Sequence, residues 1–171
     1  CEEYIRDAIK IGDGDVGSFE IFTELEKLLE DDYRHPLPTG IDGLDSILNG
    51  GLAKGEIGVV LAPTGVGKTT MLTRFANTAF NMGYNVLQIF FEDNPKIIQR
   101  KHFTCWTGIP NDELTNHKET VLDKADEMKK TGGKLILKKL PSDEMTMLQI
   151  KNQVRKIISE GTKIDIVLID Y

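Results

Sequence analysis

The sequence predicts an α/β fold, a mainly parallel sheet flanked by helices. Three observations predict it. Apolar, strand-like runs alternate with helical stretches over residues 56–170. The glycine-rich loop Ala62-Pro63-Thr64-Gly65-Val66-Gly67-Lys68-Thr69 follows the first run and opens a helix. The last run, Ile166-Val167-Leu168-Ile169, ends on Asp170.

Size and composition set the frame. The 171 residues fit one domain, and a domain of that size buries about 70% of its unfolded surface. Hydrophobic residues make up 40% and charged residues 28%, an ordinary balance for a soluble chain. No apolar run approaches the roughly 18 residues of a membrane span, so no membrane partner and a cytoplasmic setting are expected. Cys1 and Cys105 give no disulfide framework, and Cys105 reads as a buried small hydrophobe beside Trp106. The net charge of -6 comes with no long basic run, which argues against tight DNA binding by these residues. The chain opens on Cys1 and stops one residue past Asp170, so a fragment whose sheet is incomplete at the C-terminus is expected.

Residues 1–36 read as a linker and helical lead-in, and 37–171 as the core. Residues 1–17 are polar and acidic, with room for a short helix over 2–9. Phe19, Phe22, Leu25, Leu28 and Leu29 keep helical spacing behind Ser18 as N-cap, which predicts a helix over 18–32. His35-Pro36-Leu37-Pro38 is an extended break, followed by a short helix over 42–48 that ends at Asn49-Gly50-Gly51.

Residues 57–61 form a continuous apolar run, the pattern of a strand buried on both faces. The next helix carries Leu72, Phe75, Ala76, Ala79 and Phe80 on one stripe and stops near Gly83. A second strand is expected over 86–91. Asn94 followed by Pro95 marks a helix start, and that helix ends before Gly108. Leu114, Val121, Leu122, Ala125 and Met128 predict another helix, closed by Gly132-Gly133. The third strand is expected over 134–140. Thr146 and Gln149 form a capping box for a helix with Ile150, Val154, Ile157 and Ile158 inward, and a fourth strand covers 164–169.

The loop at 62–69 carries the chemistry. Its glycines let successive N–H groups curl toward phosphate oxygens, and the helix start adds partial positive charge. The spacing fits a P-loop, with Ala62 where a first glycine usually stands. Thr64, Gly65, Val66, Gly67, Lys68, Thr69 and Thr70 are the expected phosphate cradle, because Pro63 has no N–H to give. Lys68 is expected on the β- and γ-phosphates and Thr69 on Mg²⁺. Asp170 ends an apolar strand in the Walker B manner and is expected at the same metal, at the sheet edge where ligands of open α/β sheets collect. Glu92, rather than Asp93, is expected to orient and deprotonate the attacking water; Asp93 is free to help cap the next helix.

Other residues give weaker signals. Arg100 reads equally as a site-facing cation or a solvated helical arginine. Trp106 reads as core rather than as a base-stacking platform. His35, His102 and His117 lack metal-ligand spacing. Lys138-Lys139 reads as a solvated strand end rather than a contact to a phosphate backbone.

Together these residues resemble a known class. Thr39-Gly40-Ile41-Asp42-Gly43-Leu44-Asp45, Gly50-Gly51-Leu52, Lys54-Gly55-Glu56 and the P-loop resemble the entry to RecA-type domains of DnaB-family helicases and of KaiC-like and RadA-like ATPases. Phe91-Glu92 with Gln99-Arg100, and Leu140-Pro141 through Thr146, Gln149-Ile150 and Arg155 to Leu168-Ile169-Asp170-Tyr171, resemble the DnaB family in particular. Phe91-Glu92-Asp93-Asn94 departs from the family's usual Leu-Glu-Met form and suggests a divergent, phage-type member. The resemblance implies a RecA-like fold and a hexameric motor that hydrolyses ATP with Mg²⁺ and moves on single-stranded DNA to unwind duplexes. It implies Glu92 as catalytic base, Lys68 and Thr69 on the nucleotide, and Asp170 at the metal. It also places the family's DNA-binding loops and arginine finger beyond Asp170, so weak ATP binding and slow hydrolysis by this chain alone are expected. A RadA- or KaiC-like recombinase or regulatory ATPase, and a nucleotide-binding module without turnover, are the alternatives.

Overall fold

A computed structural model describes residues 21–22, 29, 34–141 and 145–171. The chain divides into two units, Cys1–Tyr33 and Arg34–Tyr171. The helices expected over 2–9 and 18–32 lie outside the described residues, save for Ile21, Phe22 and Leu29.

Within the second unit the order is α1 (Asp42–Ile47), α2 (Lys68–Asn81), β1 (Val86–Phe90), α3 (Pro95–Thr107), α4 (Lys118–Met128), a 3-10 turn (Lys129–Thr131), β2 (Leu135–Lys139), α5 (Met147–Ser159) and β3 (Ile166–Asp170). The three strands form one parallel sheet in the order β2-β1-β3. Helices cover both faces, as a sheet joined by crossovers requires.

Alternation along β1 sorts the two faces. All five of its positions are buried. Val86 joins Ala76, Ala79 and Phe80 of α2 and Leu168 of β3. Leu87 and Ile89 point to the other side, with Phe91, Leu140 and Ile150 of α5. Leu87, Ile89 and Phe90 are at most 1% exposed; truncating any of them to alanine would cost roughly 2–5 kcal/mol.

Local chemistry sets the helix ends. The Asn94 side chain accepts from the Lys96 N–H at 2.9 Å, Pro95 takes the first helical position, and Gly108 closes α3 in the left-handed region at φ 72. Thr146 and Gln149 cap α5 reciprocally. Gly83, at φ 87, ends the turn after α2, and the chain reverses into β1 within a few residues.

Several expectations fail. The first expected strand does not form: residues 57–61 carry no strand, and Ile57, Val59 and Leu61 are 84–95% exposed. An apolar run becomes a strand only when a neighbouring backbone takes its hydrogen bonds, and the sheet pairs β3 only with β1. Ile158, expected inward, is 50% exposed; it lies beside Ile157, which meets the core, because a helix packed on one stripe turns its flanks to solvent. Cys105, expected buried, is only half-buried.

An arginine organises the entry to the loop. Arg34 donates to the carbonyls of Leu48, Asn49 and Gly51 at 2.7–2.8 Å and forks onto Glu56, with Nε 2.9 Å from Oε1. The Arg34 hydrogen bond, joined by the Ala53 N–H, lowers the Glu56 carboxyl to about 2. Gly51 at φ 121 is obligatory here: a side-chain carbon would fall 2.0 Å from the Leu37 carbonyl oxygen, and Leu37 pairs with Leu52 across that turn.

Candidate functional site

The loop before α2 is held open by two glycines. Gly65 and Gly67 sit at φ 82 and 106, a region that residues with a side chain rarely adopt. At Gly65 nothing lies within 4 Å of an added Cβ, so backbone conformation, not crowding, requires glycine there. Gly67 is the N-cap of α2, and no side chain caps that end. The first-turn N–H groups of Lys68, Thr69 and Thr70 therefore face outward as donors, with the positive end of the helix dipole behind them. Among the expected cradle residues, Thr64, Gly65, Val66 and Thr70 are exposed, and Gly67, Lys68 and Thr69 are half-buried. The Lys68 ammonium folds back onto the loop, 2.9 Å from the Ala62 carbonyl oxygen and 3.2 Å from that of Pro63.

The acids come from the sheet. Phe90 pairs with Lys139 on one side and Asp170 on the other. Parallel pairing thus puts the end of β1, and the Phe91-Glu92-Asp93 segment that leaves it, on the same rim as Asp170. Phe91 is buried with its ring 5.4 Å from that of Tyr171. Glu92 is exposed, and its backbone carbonyl accepts from Lys139 Nζ at 3.2 Å. Asp93 pairs with Lys101 at 3.1 Å. It does not cap α3, since Asn94 does so.

The helix brings the loop to that rim. The second half of α2 packs on Val86, at the start of β1, and the short reversal before β1 makes the two elements antiparallel. The Lys68 end of α2 therefore points toward the strands' carboxyl ends. Among the described residues, no hydrogen bond or ion pair joins Lys68 or Thr69 to Glu92 or Asp170; the fold brings them to one edge without linking them.

Other expected residues are accounted for. Arg100 holds the turn after α3, donating from Nε to Asn111 at 3.0 Å and also to the Asn111 carbonyl. Trp106 packs against Phe80, His102 and Phe103, in line with a core role. Lys139 ends its strand exposed, held by the Glu92 carbonyl. A cavity of about 440 Å³ opens beside the second half of α2, lined among others by Arg74, Asn77, Asn81, Cys105, Trp106 and Lys124. It lies away from the loop, and phosphate-directed donors belong to the loop.

One cluster has no counterpart in the sequence reading. His102 is 1% exposed, with Nδ1 2.6 Å from Asn77 Oδ1 and Nε2 3.0 Å from Gln88 Oε1. Burial lowers its pKa to about 4, so the ring is neutral at ordinary pH. The available signal was Gln88 itself, a polar side chain in the middle of the apolar strand Val-Leu-Gln-Ile-Phe, which must find partners when buried.

The oxygen donors at this edge are of the kind that magnesium takes. Among the described residues no group of three or more His, Cys, Asp or Glu side chains could cage a metal. A hydroxyl at Thr69 and a carboxylate at Asp170 match an ion that takes one or two protein oxygens and completes its shell with phosphate and water.

Comparison with known proteins shows the family. A protein-family model described as "ATPase: KaiC" matches residues 37–171. The DNA repair protein RadA of Aquifex aeolicus (strain VF5) is 30% identical over 122 residues, covering 71% of this chain and 24% of its own length. RadA of Mycobacterium tuberculosis (strain ATCC 25618 / H37Rv) is 33% identical over 92 residues, 52% of this chain and 19% of that protein. The chain spans about a quarter or less of the curated relatives it matches.

Proposed function

The chain belongs to the KaiC family of RecA-type ATPases, and from that premise we propose that it binds Mg-ATP on residues 64–70 and hydrolyses it in the service of DNA transactions. The observation that carries this reading is the common edge. An uncapped helix start bearing Lys68 and Thr69 points to the rim where Glu92 and Asp170 emerge.

Each residue then has one task. The N–H groups of the loop and Lys68 bind the β- and γ-phosphates. Thr69 and Asp170 would hold Mg²⁺, which when bound supplies positive charge against the phosphate oxygens. Glu92 takes a proton from a water in line with the γ-phosphorus. The new P–O bond forms as the β,γ-bridging P–O bond breaks, leaving ADP and inorganic phosphate. Lys101 keeps Asp93 engaged, so the base role falls to Glu92.

DNA as effector is supported by relatives that carry the name of DNA repair proteins. We favour a RadA-like, DNA-dependent ATPase. A DnaB-like helicase is the second reading, favoured by the Asp170-Tyr171 pair, whose tyrosine ring meets that of Phe91 edge-on. Both readings imply single-stranded DNA as partner, and the helicase reading implies a homo-hexamer.

The test is ATP hydrolysis by the protein with and without single-stranded DNA, beside Lys68→Ala. Stimulation by DNA that is lost in the variant supports the proposal, and a forked-duplex unwinding assay then separates the two readings. Turnover indifferent to DNA would overturn the DNA role and favour a regulatory ATPase; no turnover at all would leave a nucleotide-binding module.

A further inference from the structure

Asn77, Gln88 and His102 come from three elements, and each element carries or adjoins part of the proposed site. Asn77 lies on α2, which begins at Lys68. Gln88 lies in the centre of β1, which runs into Glu92. His102 lies on α3, which starts directly after that acid segment. All three side chains are 0–2% exposed.

The hydrogen bonds fix which atom donates. Asn77 Nδ2 donates to the His102 carbonyl at 3.5 Å, which turns Oδ1 toward the ring. The neutral imidazole has one N–H, so Nδ1 donates to Asn77 and Nε2 must accept. The Gln88 amide nitrogen is buried without a partner among the described residues. A half-turn of that amide presents its NH₂ to Nε2, so that a donor meets an acceptor.

Apolar contact is non-directional, and by itself it lets one element slide on another. Hydrogen bonds lose strength steeply with misalignment. Around this trio the cluster of Ala76, Ala79, Phe80 and Val86 supplies cohesion without register. By helix rise, Asn77 stands ~13 Å from Lys68; by strand rise, Gln88 stands ~13 Å from Glu92. A slip at the trio is therefore carried undiminished to both ends.

We propose that Asn77, Gln88 and His102 form a positioning network for hydrolysis, fixing the register of α2 and α3 on β1 and so the separation of Lys68 from Glu92. The inference rests on the ATPase reading above. None of the three touches the nucleotide; they act through Lys68 and Glu92.

The decisive experiment replaces the network by apolar groups of similar size, Asn77→Leu with Gln88→Met and His102→Phe, in the full chain. Removing all partners together leaves no orphaned polar atom and is close to neutral for stability. Denaturant unfolding, ATP affinity and kcat are measured on wild type and variant. The expected result is retained stability, affinity within about twofold, and a kcat lower by roughly 10²-fold, the scale of a 1 Å misplacement. Retained stability with unchanged kcat would overturn the proposal, because a merely structural network predicts that outcome.

Should the triple variant fail to fold, His102→Gln and His102→Leu decide the matter. Glutamine can still donate and accept, so it keeps most of the kcat, whereas leucine loses it at similar ATP affinity. Equal kcat in the two would overturn the proposal. A wild type without turnover would sink the ATPase reading, and this inference with it. An active wild type with an equally active triple variant would sink this inference alone.

Discussion

Lys68 bonds the backbone of its own loop, with Nζ 2.9 Å from the Ala62 carbonyl oxygen. The carbonyl holds the ammonium near the loop's open face, and a phosphate oxygen would compete with it for the same protons. A charge-assisted hydrogen bond is worth about 1.5–3 kcal/mol. Lys68→Ala should therefore weaken ATP binding roughly 10–100-fold, read by titration calorimetry. ATP affinity left intact in the variant would remove Lys68 from the phosphate site.

Glu92 and Asp93 should separate cleanly. Asp93 is held by Lys101, whereas Glu92 stands exposed at the rim. Glu92→Gln should lower turnover by about 10²–10⁴-fold, the usual contribution of a general base, while ATP affinity stays as it was. Asp93→Asn should retain most of the activity. The reverse pattern in steady-state hydrolysis would transfer the base role to Asp93.

Buried His102 makes stability depend on pH. Its folded pKa is about 4 against an ordinary 6.5, so between those values the unfolded chain binds the proton and the folded chain does not. The contribution of this group is fully present above pH 6.5 and is lost as the pH drops toward 4, by ~3 kcal/mol. The lowered carboxylates, Glu56 and Asp165 among them, add losses in the same direction but at lower pH. Unfolding followed by the emission of Trp106, the single tryptophan, should show a shallower slope between pH 6.5 and 4 in His102→Gln. An equal slope would place the titration elsewhere.

Arg34 should matter more than a surface arginine. It ties three carbonyls and Glu56 around the turn that enters the loop. Arg34→Lys keeps the charge but cannot span that fork, and should cost about 1–2 kcal/mol in denaturant unfolding. A loss as small as that of a typical exposed ion pair, below ~0.5 kcal/mol, would show that water replaces the clasp.

Asn94→Ala should cost ~1 kcal/mol by removing the α3 cap. Thermal unfolding would register a drop of a few degrees, and no change would mean that Pro95 alone sets the helix start.

What could be read in advance was local. Asn94-Pro95, Gly108, and the Thr146–Gln149 box act within one turn of chain, so residue order alone specifies them. The glycines of the loop likewise announce their conformation by their type. What escaped was pairing at a distance. Residues 57–61 look like a strand because they are apolar, yet nothing in their order says whose backbone will accept them. The Asn77–His102–Gln88 cluster draws on three elements whose meeting depends on the finished sheet, and Arg34 reaches across some twenty residues to Glu56. Ile158 shows the limit of periodicity, which identifies a helix but not the width of its covered stripe.

The order of strands has a consequence for how the chain is made. β1, the most deeply buried strand, is synthesised first, yet its partners begin only at Leu135 and Ile166. At roughly 5–20 residues per second, several seconds pass on the ribosome before β3 can close the second side of β1. Until β2 follows, an apolar strand waits with both backbone edges unpaired, and until β3 follows one of them stays open. Folding of this core is thus governed by its longest loop closures, and early chaperone contact is expected at residues 86–91.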